Sequence, residues 1–242
     1  MTDVKDVQRA LLEEAAEYYS KIWATRDKSE REKFGDLRKA KQFEAALLEP
    51  VINEDNILST LFWVDSENRW ELFELICDKY DLTPKAFAIG LKDAWSTGIG
   101  TGSPKVFSFF RRVDRTLMMD EEEQQYYDAL PDKVTLYRGC DINELNYLKD
   151  DCADDNDGSC LGISWTTDRG VAEFFAFRYD IEDRVVVSIE VEKSSIVTFI
   201  NDRNEYECII LDIDSLAPQI VTYEPTEFYE EFIEKTEKQS LI

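Results

Sequence analysis

Five residues in the C-terminal half of this chain carry side chains suited to chemistry on a polar, charged molecule. They are Arg138 in LYRGC, Ser164 and Thr166 in GISWTTDRGVAEFFA, and Glu205 and Glu207 in NEYECIIL. An arginine at the end of a strand-like segment offers a planar fork of donors that fits a diphosphate, which lysine cannot match geometrically. The same arginine would equally serve as a surface ion-pair partner. Gly139, directly after it, lets another backbone or a ligand approach closely. Side chains in a strand alternate with a period of two, so Ser164 and Thr166 share one face, as do Glu205 and Glu207. Singly, the hydroxyl pair describes a strand running into a capped helix, and the glutamate pair a solvated strand face. Their order is the signal: a strand-end arginine, then Ser-x-Thr before a helix, then Glu-x-Glu on an apolar strand. Arg178, at the end of the intervening helix, is either a further phosphate contact or the cation that caps that helix.

Composition narrows the chemistry. The 242 residues include no histidine, which excludes Cys/His zinc sites, histidine bases and Ser-His-Asp triads. Five cysteines, Cys77, Cys140, Cys152, Cys160 and Cys208, form no CxxC pair and read as reduced thiols. The net charge of -24 opposes passive binding to phosphate backbones. That charge serves solubility, or else suits a basic partner or nucleic-acid mimicry. The glycines of STGIGTGSP, from Ser96 to Pro104, lack phosphate-loop spacing and read as a hinge or loop. The acidic run from Lys149 to Cys160 fails the EF-hand pattern and reads as a solvated loop. No apolar run reaches the length of a membrane span, and the first residues lack a signal-peptide layout, so the cytoplasm is the expected compartment.

Two kinds of element must position these residues. Residues 1-100 carry helical periodicity: Val4, Val7, Leu11, Ala15, Tyr18 and Ile22 on one helix, then Leu37, Ala40, Phe43 and Leu47 on a second. A third runs around Trp70 to Leu82, and Thr83 with Pro84 starts a fourth through Trp95. Residues 101-242 begin with two more helices, one started by Ser103 and Pro104 and one by a capping box of Asp120 and Glu123. After Pro131 the pattern changes to short segments rich in Val, Ile, Tyr and Thr: VTLYRG, GISWTT, RVVVSIEV, SIVTFI, EYECIIL and QIVTYE. A helix from Asp168 separates two of them. A last one after Pro225 has Phe228, Phe232 and Ile233 as anchors.

Across Val134 to Leu211 the sequence resembles the ADP-ribosyltransferases of the arginine, serine and glutamate class, the cholera-toxin-like group. LYRG is similar to the first strand of that family, GISWTTDRGVAEFFA to its serine strand and following helix, and NEYECII to its Glu-x-Glu strand. Trp165 departs from the pattern, standing where the family usually has a small hydroxyl residue. The resemblance implies an α+β fold in which a helical N-terminal region precedes a split, mostly antiparallel sheet. It implies NAD as co-substrate, no metal, and transfer of ADP-ribose to a macromolecule. Glu207 would face the charge that develops on the ribose, Glu205 would orient or deprotonate the acceptor, and Arg138 would bind the diphosphate. Gly139 and Ser164 would contact the nicotinamide, Thr166 would support them, and Arg178 would add a phosphate contact. Both glutamates being present, the implied acceptor is a protein arginine, with a DNA or RNA base as the alternative. A toxin, phage-encoded or defence setting is implied, with an antitoxin or inhibitor as a further partner. The N-terminal helices would recruit a target, bind such a partner or form a lid. A different class stands beside this one: a non-catalytic acidic interaction protein.

Overall fold

The computed structural model describes residues 3–97, 103–147, 162–179, 181–212 and 216–239. The acidic run from Lys149 to Cys160 and the centre of the glycine segment, residues 98–102, therefore lie outside the described residues. The chain divides into two compact units, Met1–Gly100 and Thr101–Ile242.

The first unit is helical. Helices α1 (Val4–Ala24) and α2 (Lys28–Ala46) form a hairpin, each started by an aspartate whose carboxylate accepts a first-turn amide: Asp3 from Lys5 and Asp27 from Glu30. Leu11 and Ala15 of α1 and Phe43 of α2 are buried as the apolar stripes imply, with Ala45 and Ala46 beside them, whereas Val4 and Val7 at the start of α1 and Ala40 of α2 are exposed. The Gln8 amide ties the two helices, donating to the Ala45 carbonyl at 3.3 Å and to Glu49 Oε1 at 3.0 Å. Helices α3 (Ile57–Leu61), α4 (Arg69–Lys79) and α5 (Pro84–Thr97) bury Ile57, Leu61, Leu72, Phe73, Ile76 and Leu91 completely. Thr83 caps α5, its hydroxyl accepting from the Ala86 amide at 3.1 Å. Ser96 and Thr97, expected in the glycine hinge, instead complete this helix.

The second unit is α+β. Short helices α6 (Val106–Arg112) and α7 (Arg115–Met118) precede α8 (Glu121–Ala129), which has the expected capping box between Asp120 and Glu123. Then come β1 (Lys133–Asp141), α9 (Glu144–Tyr147), β2 (Ser164–Thr166) and α10 (Arg169–Phe177). They are followed by β3 (Arg184–Glu192), β4 (Ile196–Ile200), β5 (Glu207–Ile210), β6 (Gln219–Thr222) and α11 (Glu227–Gln239). Three short helices, α3, α7 and α9, have no counterpart in the sequence periodicity, because four or five residues are too few to show a 3.6-residue repeat.

The six strands form one sheet in the order β4-β5-β2-β1-β3-β6, with every neighbouring pair antiparallel. β1 and β3 pair along their full lengths, from Lys133 opposite Glu192 to Asp141 opposite Arg184. β1 and β2 meet only where Tyr137 opposes Thr166, so the sheet is two three-stranded halves joined at a narrow seam. Helix α10 packs on β1 and β3, with Ala172 and Ala176 against Val186. Gly139 makes this possible, since a Cβ there would lie 2.2 Å from the Ala172 carbonyl oxygen and 2.6 Å from the Ala176 nitrogen. The close approach that this glycine admits is that of the helix backbone.

Helix α11 packs on α10 through Phe232 and Phe174, whose ring centroids are 5.3 Å apart. Phe228, expected as a buried anchor, is 38% exposed. Its ring instead receives the Arg169 guanidinium at 4.5 Å. The buried carboxylate of Glu173 fastens the start of α11, accepting from the Thr226 amide at 2.8 Å and from Arg169 Nε at 2.9 Å.

Candidate functional site

The three sequence segments singled out above become neighbours in the sheet, on β1, β2 and β5. Glu207 opposes Thr166, and Thr166 opposes Tyr137, so one lateral row crosses the seam. Directly opposed residues of an antiparallel pair share a face. Thr166 and Glu207 therefore lie on one side of the sheet, with Ser164 one pleat along, opposite Ile209. Glu207 is 5% and Thr166 6% exposed, while Ser164 is half-buried. Trp165, the departure from the family pattern, points to the other face, opposite Cys208, and is buried in the core. The unusual residue thus occupies a packing position and leaves the face of the hydroxyls unaltered.

Arg138 neighbours Tyr137, so alternation starts its side chain on the opposite pleat. Its guanidinium holds a backbone group: Nη1 donates to the Ser164 carbonyl at 2.9 Å, and Nη2 pairs with Glu144 Oε2 at 3.2 Å. Gly162 gives it room, since a Cβ there would fall 2.6 Å from Nη2. The Nε of Arg138 is buried with no hydrogen-bond partner among the described residues. Arg138 is thereby a tie between β1 and β2 and also a partly uncommitted donor. Arg178 caps α10 by position, its amide donating to the Phe174 carbonyl at 2.9 Å. Its guanidinium lies over the Phe175 ring at 4.6 Å and the Tyr179 ring at 5.0 Å.

The glutamate pair departs from the sequence expectation. Strand β5 begins at Glu207, and Glu205 belongs to the preceding turn. Asn204 and Tyr206 have φ of 56° and 50°, so the alternation that would align the two carboxylates does not run through Tyr206. Local hydrogen bonds impose the turn. The Asn204 amide donates to the Asn201 carbonyl at 3.0 Å, and the Tyr206 amide to the Asn201 side-chain oxygen at 3.0 Å. The Thr166 hydroxyl donates to the Glu205 carbonyl at 2.7 Å and accepts from the Asp168 amide at 3.0 Å. One side chain therefore joins the turn, the strand β2 and the start of α10.

Other residues that hold this turn escaped the sequence reading. Glu123, buried in α8, accepts from the Asn201 amide at 2.7 Å with one oxygen and from the Asp120 amide at 2.9 Å with the other. Tyr126 stacks on Phe199 at 4.4 Å, lies 5.5 Å from the Tyr206 ring and shares a 2.8 Å hydrogen bond with the Thr167 hydroxyl. Lys235 of α11 sits 5.6 Å from the Tyr206 ring centroid. The capping-box signature identified Glu123 as a helix-start residue, but nothing local links it to a turn 78 residues away.

Electrostatics single out Glu205. Burial pushes its carboxyl above the ordinary value of 4.5, Arg203 opposes that shift, Glu207 adds to it, and Arg178 opposes it more weakly. The Arg203 guanidinium lies 2.8 Å from Glu205 Oε2. Burial also pushes the Cys140 thiol up to about 12 and raises Cys208, which makes both inert packing residues. Among the described residues, the carboxylates of Asp120, Glu123 and Asp202 lie within 4.8 Å of one another, close enough to hold a cation. Both Glu123 oxygens already accept backbone amides.

No protein-family model, curated protein or solved structure matches this chain. The fold defines an α+β protein, a helical N-terminal region followed by an antiparallel-sheet domain. No described helix is long and apolar enough to cross a membrane.

Proposed function

We propose that this protein is a mono-ADP-ribosyltransferase, which cleaves NAD and transfers ADP-ribose to a macromolecular acceptor, a protein arginine. The observation that carries the reading is the register across β5-β2-β1. Segments far apart in sequence meet there, with Glu207 opposite Thr166 and Arg138 bonded to the Ser164 backbone.

Breaking the bond between nicotinamide and ribose builds positive charge on the sugar. A carboxylate fixed beside that ribose stabilises the transition state more than the ground state. Glu207 sits in the row with Thr166, where the backbone is held on both sides, and would serve this role. The Arg138 guanidinium, on a side chain 22% exposed, would offer donors to a phosphate oxygen. Ser164, on the same face as Glu207, would orient the nicotinamide end, and Gly139 would add backbone contacts only, because α10 closes over its face. Glu205, presented by the turn, would receive the acceptor, and Arg178 stands near enough to act on its charge. No metal is needed for these steps.

The test is nicotinamide release and label transfer from NAD in cell lysate, with separate protease and nuclease digestion. Glu207→Gln should lower NAD cleavage by at least 100-fold, the order that loss of one aligned electrostatic group produces. Glu205→Gln should lose transfer while keeping part of the hydrolysis. Wild-type cleavage by Glu207→Gln would sink the assignment, and label that follows the nuclease arm would replace protein by nucleic acid as acceptor.

A further inference from the structure

Glu205, the carboxylate offered above to an acceptor guanidinium, already holds one. Arg203 stands two residues earlier in the same turn, with Nη2 2.8 Å from Glu205 Oε2. The Arg203 side chain is 50% exposed and that of Glu205 22%, so a shielded carboxylate meets a reachable guanidinium. The contact is presented by a held backbone. Asn201 closes the turn on the Tyr206 amide, the Thr166 hydroxyl fixes the Glu205 carbonyl, and Glu123 fixes the Asn201 amide. Arg178 also acts on Glu205, but its guanidinium is spread over aromatic rings. The geometry makes Arg203 the cation in direct contact.

We propose that Arg203 is a self-modification site, the chain's own acceptor of ADP-ribose, held on Glu205 in the place an external arginine would take. The proposal rests on the ADP-ribosyltransferase reading given above. In the reaction the C–N bond between C1′ of the ribose and nicotinamide breaks, and its electron pair leaves with neutral nicotinamide. An Nη of Arg203 forms the new C–N bond to C1′. The proton displaced from that nitrogen passes to Glu205 and on to solvent. One NAD and one Arg203 thus give ADP-ribosyl-Arg203, nicotinamide and a proton, with no change of oxidation state. Tethering favours this acceptor, because a group already positioned beside the reacting centre competes at a high effective concentration. Once attached, the diphosphate sets negative charge beside Glu205, so modification should slow transfer to external acceptors.

The experiment incubates the full-length chain with NAD at two protein concentrations tenfold apart, then locates the added ADP-ribose mass by peptide mass spectrometry. The expected result is one ADP-ribose on the Arg203 side chain, with a half-time independent of protein concentration. That label should be absent from Arg203→Lys and from Glu207→Gln. Nicotinamide release with Arg203 unmodified, or with label only on other residues, would overturn the proposal while leaving the function intact. A half-time that shortens with protein concentration would overturn the intramolecular route. Absence of nicotinamide release from the wild type would instead overturn the parent reading, and the proposal with it.

Discussion

Replacing Thr166 by valine removes one hydroxyl and nearly nothing else. The side chain is 6% exposed, valine has almost the same volume and branching, and both residues favour strands. What is lost is a donor to the Glu205 carbonyl at 2.7 Å and an acceptor for the Asp168 amide at 3.0 Å. Each group left without a partner in such surroundings costs about 1–3 kcal/mol, so the two together should cost about 3 kcal/mol after partial access of water. For a unit of this size that corresponds to a fall in melting temperature of roughly 6–12 °C. Urea unfolding, followed by hydrogen exchange of segments 162–179 and 201–212, would read it. Exchange at the Asp168 amide should accelerate most. Thr166→Ser keeps the hydroxyl and should lose only about 1 kcal/mol, the value of one buried methyl. Because the lost bond anchors the turn, the proposed activity implies that Thr166→Val also lowers transfer to an acceptor more than NAD hydrolysis. A valine variant within 0.5 kcal/mol of wild type, or a serine variant equally damaged, would refute the role given to this hydroxyl.

Other outcomes follow from packing and charge. Gly139→Ala should destabilise the second unit by about 3 kcal/mol, because the new Cβ meets the α10 backbone, whereas Gly35→Ala, with open space around it in α2, should gain up to about 1 kcal/mol. A Gly139→Ala melt unchanged from wild type would contradict the close approach of helix and strand. Glu205 binds its proton more tightly folded than unfolded, so its contribution is fully present below the ordinary value of 4.5 and is lost as pH rises through that value towards the raised one. Glu205→Gln should therefore gain stability relative to wild type as pH rises from 4 towards neutrality, at about pH 4.5 and above, and a difference constant with pH would contradict the burial effect. Native protein treated with iodoacetamide at about pH 8 should leave Cys140 and Cys208 unlabelled until it is unfolded, and rapid native labelling of either would contradict their burial.

The elements were legible wherever their cause lies within a few residues. Helix starts at Thr83, Asp120 and Asp168 depend on a side chain reaching an amide two or three positions ahead, and these stand as the sequence implies. The six strand segments announced themselves by β-branched and aromatic content, and all six are present. The turn before β5 runs two residues into the segment EYECIIL, since the strand starts at Glu207. Its last constraint, the Tyr206 amide on the Asn201 side chain, closes backward over the segment that reads as strand. Periodicity places Phe228 on an apolar face without saying what covers it, and here an arginine does.

By itself, then, the sequence determined the six strand segments and the longer helices, that any chemistry on this chain must use carboxylates, arginines, hydroxyls or thiols, and which of those residues stand out. Tertiary structure alone decided their relations. It set Glu207 opposite Thr166, gave the Arg138 guanidinium to a backbone carbonyl, spent the freedom of Gly139 on a helix and placed Arg203 on Glu205. Propensities and caps act over a few residues, whereas strand order and register are settled by which faces of the whole sheet can be buried together. That choice joins positions dozens of residues apart, where no local pattern records the partner.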